Sequence, residues 1–478
     1  MKGLFVNLKM KIAILGSYST QILSKSLSSL NHDFDIYEAE FSQIDYDIIN
    51  NDSNLYVFKP DFIIIHETSI SFKKKFNNNS YSKNSYYKHC ISSLEVYVEK
   101  LGRLMPNAKI IYPTLDINSD MIFGNYFFKI PESLDAQVHY YNYELSQLVL
   151  RKKNLFLLDI NNLIFYSDEV RDERLVVTAD IHFSISFTRK IAESINKIIQ
   201  ASLGHFIKCI VLDLDNTLWG GVIGDDGIKG IEIGDLGIGK AFSEFQKWLK
   251  SLKERGIILC ICSKNDESIA KRPFLDHPDM ILSLKDIAIF IANWDNKVTN
   301  IQKIKQVLNI DYDSILFIDD NPVERDMVKS AIDKIIVPDI PIDPAMYKDY
   351  LIKKNYFEIT NFSKFDNERT KKYQEENKRK TLERSSFSLN DYLKSLSMEA
   401  EYEIVSKNII PRVSQLTQRT NQFNARTIRY NEEEIKKISV HENYFASGFS
   451  LKDKFGSHGL VGLVILKKII GDSIFLDT

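Results

Sequence analysis

The sequence has no apolar run near the ~20 residues that a membrane-spanning helix needs, so a helical membrane protein is excluded. Its start, Met1-Lys-Gly-Leu-Phe-Val-Asn-Leu-Lys-Met10, is too short and too polar for a secretory signal, and a cytoplasmic protein is the expectation. Cysteine is scarce, with Cys90, Cys209, Cys260 and Cys262 and no paired CxxC spacing, which argues against a disulfide framework or a structural zinc site. Neither sign of charge is in excess: 62 basic residues face 64 acidic ones. That balance removes the electrostatic basis for a nucleic-acid partner. Long repeats and low-complexity tracts are absent too.

What is present is the rhythm of α/β domains. A chain of 478 residues outgrows one core, so several domains are expected. Short apolar runs alternate with polar helical stretches: Ile12–Leu15, Phe62–Ile65, Ile110–Tyr112 and Leu155–Leu158, with Asn77–Asn84 as a surface loop. A second series follows at Cys209–Asp213, Ile257–Cys262, Met280–Leu282, Ile315–Ile318 and Lys334–Val337, and its first helix, Lys240–Arg255, stops at Gly256. The spacing predicts tandem doubly wound parallel sheets over residues 1–203 and 204–345. A charged linking helix, Asp366–Arg384, lies within 346–397, and an α+β unit occupies 398–478, with strands such as Ala400–Ile404 and Leu460–Ile465.

The chemistry gathers at strand ends of the second series. Asp213-Leu-Asp-Asn-Thr217 places Asp213 and Asp215 just past an apolar strand, where open α/β sheets put ligands. Asp213 suits nucleophilic attack on phosphorus and Asp215 suits proton transfer. Three later segments join them: Ser263 in Cys262-Ser-Lys-Asn265 as a donor to phosphate oxygens, Lys297 as a fixed cation, and Asp319-Asp320 as acids that complete an all-oxygen Mg²⁺ site. Asn216, Thr217, Lys264 and Asn265, neighbours of these residues, are candidate substrate contacts. The glycine-rich insert Trp219–Asp235 reads as a hairpin flap over the site.

These four elements resemble the motifs of the haloacid dehalogenase superfamily. The resemblance implies an aspartyl phosphate on Asp213, general acid/base work by Asp215, phosphoryl binding by Ser263 and Lys297, and Mg²⁺ held by Asp213, Asp215 through its backbone carbonyl, and Asp319 or Asp320. The longer words Asp213-Leu-Asp-Asn-Thr-Leu-Trp-Gly-Gly and Phe317-Ile-Asp-Asp-Asn-Pro-Val-Glu-Arg325 are similar to the FkbH-like family of glyceryl transferase/phosphatases, as are Thr420–Asn424, Arg429-Tyr430 and Leu451–Leu460. That family implies an SGNH hydrolase-like N-terminal domain, a central haloacid dehalogenase domain and a GNAT-like C-terminal domain. It also implies a reaction that moves the glyceryl group of 1,3-bisphosphoglycerate, a phosphorylated three-carbon metabolite, onto an acyl carrier protein.

Several features modify that picture. Gly16-Ser-Tyr-Ser19 and Asp180-Ile-His182 have the wrong spacing for a hydrolase triad of Ser17 or Ser19 with His182, so the first domain reads as a docking or substrate-shaping module. Gly456-Ser-His-Gly459 suits a hairpin connection, and no pyrophosphate-binding turn follows the last strand, so the C-terminal unit reads as a partial GNAT-like domain. Acyl transfer points to a thiol: Cys262, beside Ser263 and Lys264, is the positional candidate and Cys209 the second. A plain phosphatase acting on a small metabolite is the alternative reading.

Overall fold

The chain divides into two compact units, Met1–Ile207 with Met346–Phe362, and Lys208–Ala345 with Ser363–Thr478. A computed structural model describes residues 9–78, 80–117, 121–362, 369–385, 388–419, 430–468 and 474–476. The sequence motif at Thr420–Asn424 with Arg429 lies outside them. Among the described residues no helix is long and apolar enough to cross a membrane.

In the first unit β1 (Met10–Gly16), β2 (Phe34–Glu38), β3 (Phe62–His66), β4 (Lys109–Pro113) and β5 (Leu155–Leu158) form a parallel sheet in the order β2-β1-β3-β4-β5. Successive residues feed opposite faces. Ile12 and Ile14 pack with Phe187, Ile191 and Ile195 of helix Ile185–Ser202, while Ala13 and Leu15 belong to the cluster with Ile91, Leu94 and Val98 of helix Tyr86–Leu104. The apolar runs mark β1, β3, β4 and β5. They miss β2, because an edge strand with Asp35 and Glu38 in it shows no continuous apolar run. Helix Ser69–Asn78 takes in the first two residues of the anticipated Asn77–Asn84 loop.

The second unit holds β6 (Cys209–Leu212), β7 (Ile258–Ser263), β8 (Ile287–Ala292) and β9 (Ile315–Ile318), parallel in the order β8-β7-β6-β9. Helix Gly239–Glu254 closes at Gly256, whose φ of 101° is the left-handed geometry a helix end asks of glycine. Two anticipated strands differ. Met280–Leu282 is a connection, with the N–H groups of Ile281 and Leu282 donating to Gln246 Oε1, and the strand is the longer apolar run Ile287–Ala292. Lys334–Val337 touches the sheet only through a bridge between Leu316 and Ile336; Lys334 has a φ of 67° and Pro338 follows, so a ladder cannot extend.

Also in this unit, helix Arg369–Ser385 is followed by an antiparallel sheet of β10 (Glu399–Ile404), β11 (Tyr444–Asp453), β12 (Gly456–Lys468) and β13 (Ile474–Leu476). The anticipated linking segment is therefore divided, since Met346–Phe362 belongs to the first unit. Gly456–Gly459 lies inside β12, with the reversal falling just before it at Lys454-Phe455. Asp453 ties the reversal to the helix: it accepts two hydrogen bonds from Arg379, at 2.6 and 3.0 Å, and one each from the N–H of Phe455 and Gly456. A Cβ on Gly456 would meet the Glu375 carboxyl group at 2.2 Å. Gly456→Ala is expected to cost about 1–2 kcal/mol by overpacking, read as a lower denaturant midpoint. An unchanged midpoint would mean that Glu375 yields freely.

Candidate active site

Parallel strands deliver their carboxyl ends to one edge, and in the second unit each of those ends carries a polar group. Asp213 follows β6, Ser263 ends β7, Lys297 opens the helix Lys297–Leu308 after β8, and Asp319-Asp320 follow β9. Asp213, Ser263, Lys297 and Asp319 are all buried. Lys297 Nζ lies 2.5 Å from Asp319 Oδ2 and 3.0 Å from Asp213 Oδ1, so one ammonium bridges acids from two strands. Asp213 Oδ1 is buried, with the Lys297 ammonium beside it. The Asp320 carboxylate accepts from Thr217 Oγ1 at 3.4 Å, and the same Thr217 oxygen accepts from the Asp320 N–H.

Carboxylate oxygens of Asp213, Asp319 and Asp320 lie within 4.8 Å of one another. Burial and the Asp213 charge raise the Asp319 pKa to about 7 against the pull of Lys297, and the same two causes raise Asp320. Burial pulls the Lys297 pKa down, but Asp213 and Asp319 outweigh it and keep the ammonium charged. Three carboxylates around one ammonium leave negative charge that a divalent cation neutralises, and an all-oxygen donor set fits a hard cation.

Asp215 faces elsewhere. Its Oδ1 accepts from Trp219 Nε1 at 2.9 Å and from the Ile223 N–H at 3.0 Å, and its Oδ2 accepts from Asn265 Nδ2 at 3.0 Å. Burial raises its pKa, so it holds a proton more readily than a free aspartate. Its side chain is thus outside the three-acid cluster. Asn216 sits at a φ of 53° and accepts from the Gly221 N–H, which fixes the turn after Asp215. The insert that follows is a short helix, Ile223–Gly230, closed by paired backbone bonds between Gly220 and Glu232. Gly227, at a φ of 65°, kinks that helix, so the segment between the Gly220 and Glu232 bonds is helical where a hairpin was anticipated.

The two candidate thiols are in the wrong environment. Cys262 is fully buried and its Sγ donates to the Lys297 carbonyl at 3.8 Å; burial, opposed by Lys297, pushes its pKa up to about 12. Lys264 gives it no help, since its ammonium pairs with Glu324 at 2.6 Å. Cys209 is also fully buried, lies 3.7 Å from Cys260, and is raised by burial well above the thiol range. Neither can present a thiolate to a substrate.

In the first unit, Ser17 Oγ accepts from the Thr68 N–H at 3.3 Å, while His182 Nε2 pairs with Asp116 Oδ2 at 3.0 Å. Asp116 also takes both donors of Ser69 and the Arg171 guanidinium, and among the described residues no hydrogen bond joins Ser17 to His182. Sequence reasoning missed Asp116, although Thr114-Leu-Asp116 follows β4 as Asp213 follows β6. It also left Glu324 and Arg325 without roles, because adjacent charges at a helix start normally read as solvated; both are buried.

A parallel sheet that gathers three acids and a buried lysine at its carboxyl edge defines an α/β protein of the haloacid dehalogenase type. Residues 11–200 match the family described as FkbH, N-terminal domain. The crystal structure of the N-terminal part of the protein BF1531 from Bacteroides fragilis, containing a phosphatase domain complexed with Mg, is 38% identical, with a TM-score of 0.71, over 74% of this chain and 95% of that one. The chain belongs to the FkbH-like family. A family two carbohydrate esterase from Cellvibrio japonicus covers 40% of this chain and 61% of its own at 14% identity and a TM-score of 0.26, too slight a likeness to bear on the fold. No curated protein matches the chain.

Proposed function

We propose that this chain is a Mg²⁺-dependent phosphatase acting through Asp213, and that it serves the transfer of a glyceryl unit from 1,3-bisphosphoglycerate to an acyl carrier protein. The observation that carries the reading is the Lys297 bridge between Asp213 and Asp319, with Asp320 beside it. Family membership and the Mg-complexed phosphatase neighbour support it. Asp213, Asp319 and Asp320 would hold Mg²⁺, with the Asp215 backbone carbonyl as a further ligand implied by the superfamily. The ion supplies Lewis-acid shielding of the phosphate oxygens.

Around it, Lys297 and Ser263 bind the phosphoryl oxygens and the Asp213 carboxylate attacks phosphorus. The bond to the leaving alcohol breaks and Asp215, whose hold on a proton burial strengthens, gives its proton to that oxygen. Asp215 then takes a proton from water, the water attacks phosphorus, and phosphate departs as the Asp213 carboxylate is restored. On 1,3-bisphosphoglycerate the phosphate ester at the third carbon is the bond that needs this machinery. The acyl phosphate is already activated, so a carrier-protein thiolate attacks the acyl carbon directly, the carbon–oxygen bond breaks and phosphate leaves. Buried Cys262 and Cys209 have no part in that step.

The test is intact-mass spectrometry of a carrier protein after incubation with the enzyme and 1,3-bisphosphoglycerate. A glyceryl adduct is expected with Mg²⁺, and none with chelator or Ca²⁺, whose larger radius relaxes the tight octahedral geometry. Phosphate release without an adduct would leave the plain phosphatase. Full phosphate release in chelator would remove the metal-dependent reading altogether.

A further inference from the structure

The acids after β9 lie on a turn past the end of the strand, held on one side by the Thr217 hydroxyl at Asp320. Arg325, one turn further on in helix Pro322–Ala331, is 8% exposed, and its Nη1 donates to the carbonyl of Asp319 at 2.8 Å and to that of Asp320 at 2.7 Å. On its outer side its Nε lies 3.6 Å from the exposed carboxylate of Asp339, which also pairs with Lys329 at 2.5 Å. A guanidinium that bridges two successive carbonyls fixes the peptide between them. The direction of both carboxylates follows from that peptide, together with the Asn321 N–H, which donates to Asp319 Oδ1 at 3.0 Å. The charge also matters: a cation behind the turn draws on carbonyl oxygens and leaves the carboxylates free to face the cluster.

We infer that Arg325 is a positioning residue that presets Asp319 and Asp320 for the divalent cation, with Asp339 as its outer anchor. Both bonds come from Nη1, and a lysine keeps the charge but ends one bond short of that nitrogen and lacks the guanidinium plane that orients its two N–H groups, so Arg325→Lys isolates the geometric part. The inference rests on the Mg²⁺-dependent reading above, and Mg²⁺ itself is the probe. Isothermal titration of the full chain with MgCl₂ is expected to give a dissociation constant about tenfold higher for Arg325→Lys, the size usual when a residue behind a metal ligand is changed. Asp339→Asn, at an exposed position that does not endanger folding, is expected to raise it about twofold, as loss of a surface ion pair does. In turnover, excess Mg²⁺ should restore phosphate release by Arg325→Lys to the wild-type maximum, whereas a merely structural lesion would not respond to the ion.

Wild-type protein that takes up no Mg²⁺ would overturn the metal-dependent reading itself. Wild-type protein that binds Mg²⁺, with an unchanged constant in folded Arg325→Lys, would overturn the positioning role alone. Should Arg325→Lys fail to fold, an unchanged constant in Asp339→Asn overturns it instead.

Discussion

Asp213→Asn is expected to lower hydrolysis of the phosphate ester at the third carbon by more than ~10³-fold, so that only the acyl phosphate is released while the carrier protein accumulates a phosphoglyceryl adduct, heavier than the glyceryl adduct by one phosphoryl group. The carboxamide is isosteric but cannot attack phosphorus, so the ester at the third carbon survives. The acyl phosphate, which needs only a thiolate, still reacts. The fold should persist, because Asp213 joins β9 through its backbone, its N–H donating to the Ile318 carbonyl at 3.0 Å, and that bond is independent of the side chain. In chelator the variant should even unfold at a higher temperature than the wild type, since the Asp213 charge is one cause of the raised Asp319 pKa and its removal relieves a buried repulsion. Intact-mass spectrometry and thermal unfolding read the two effects separately. Wild-type phosphate release by the variant would end the nucleophile assignment; a carrier carrying no adduct of either mass would end the proposed acyl step and leave the phosphatase standing.

The placement of Asp213, Ser263, Lys297 and Asp319-Asp320 was legible because it depends on main-chain topology. An apolar run marks a buried parallel strand, and the residue after it lands at the carboxyl edge whatever lies between. What was not legible depends on where side chains turn and what meets them from far along the chain. Asp215 is two residues from Asp213, yet its carboxylate points to Trp219, Ile223 and Asn265, and nothing local to Asp-Leu-Asp separates the two. Cys262 is one residue from Ser263, but a strand alternates faces: Cys262 belongs to the apolar cluster with Ile301 and Phe317 while Ser263 ends the strand. Proximity in sequence made it a candidate thiol, and the strand period disqualifies it. The insert after Trp219 showed glycines without their φ values, and glycine serves a hairpin and a kinked helix equally. The strand at Ile287–Ala292 was overlooked in favour of Met280–Leu282, a shorter run whose backbone is satisfied by the Gln246 side chain. A side-chain acceptor 35 residues away is a contact no local pattern contains.

Lys297→Met should remove more than the phosphate grip. The lysine side chain is 4% exposed and bridges Asp213 and Asp319, so methionine of similar length fills the space but leaves two buried carboxylates with no cation between them. Taking one partner from a buried ionic set costs about 3–5 kcal/mol. The variant should therefore unfold well below the wild type in chelator. Added Mg²⁺ binds the folded form at the same carboxylates and stabilises it by mass action, so the recovery on adding the ion should exceed the shift seen in the wild type. Phosphate release should stay depressed by about 10²–10³-fold even with saturating Mg²⁺, because the cation that meets the transferring phosphoryl oxygens is gone. Thermal unfolding with and without MgCl₂ and a steady-state phosphate assay measure the two parts. If Lys297→Met melts with the wild type in chelator, Asp213 and Asp319 share a proton without needing the ammonium, and the charge balance drawn for this cluster is wrong. If it melts low, recovers with Mg²⁺ and still turns over slowly, Lys297 holds the acids in the free protein and the phosphoryl group during reaction.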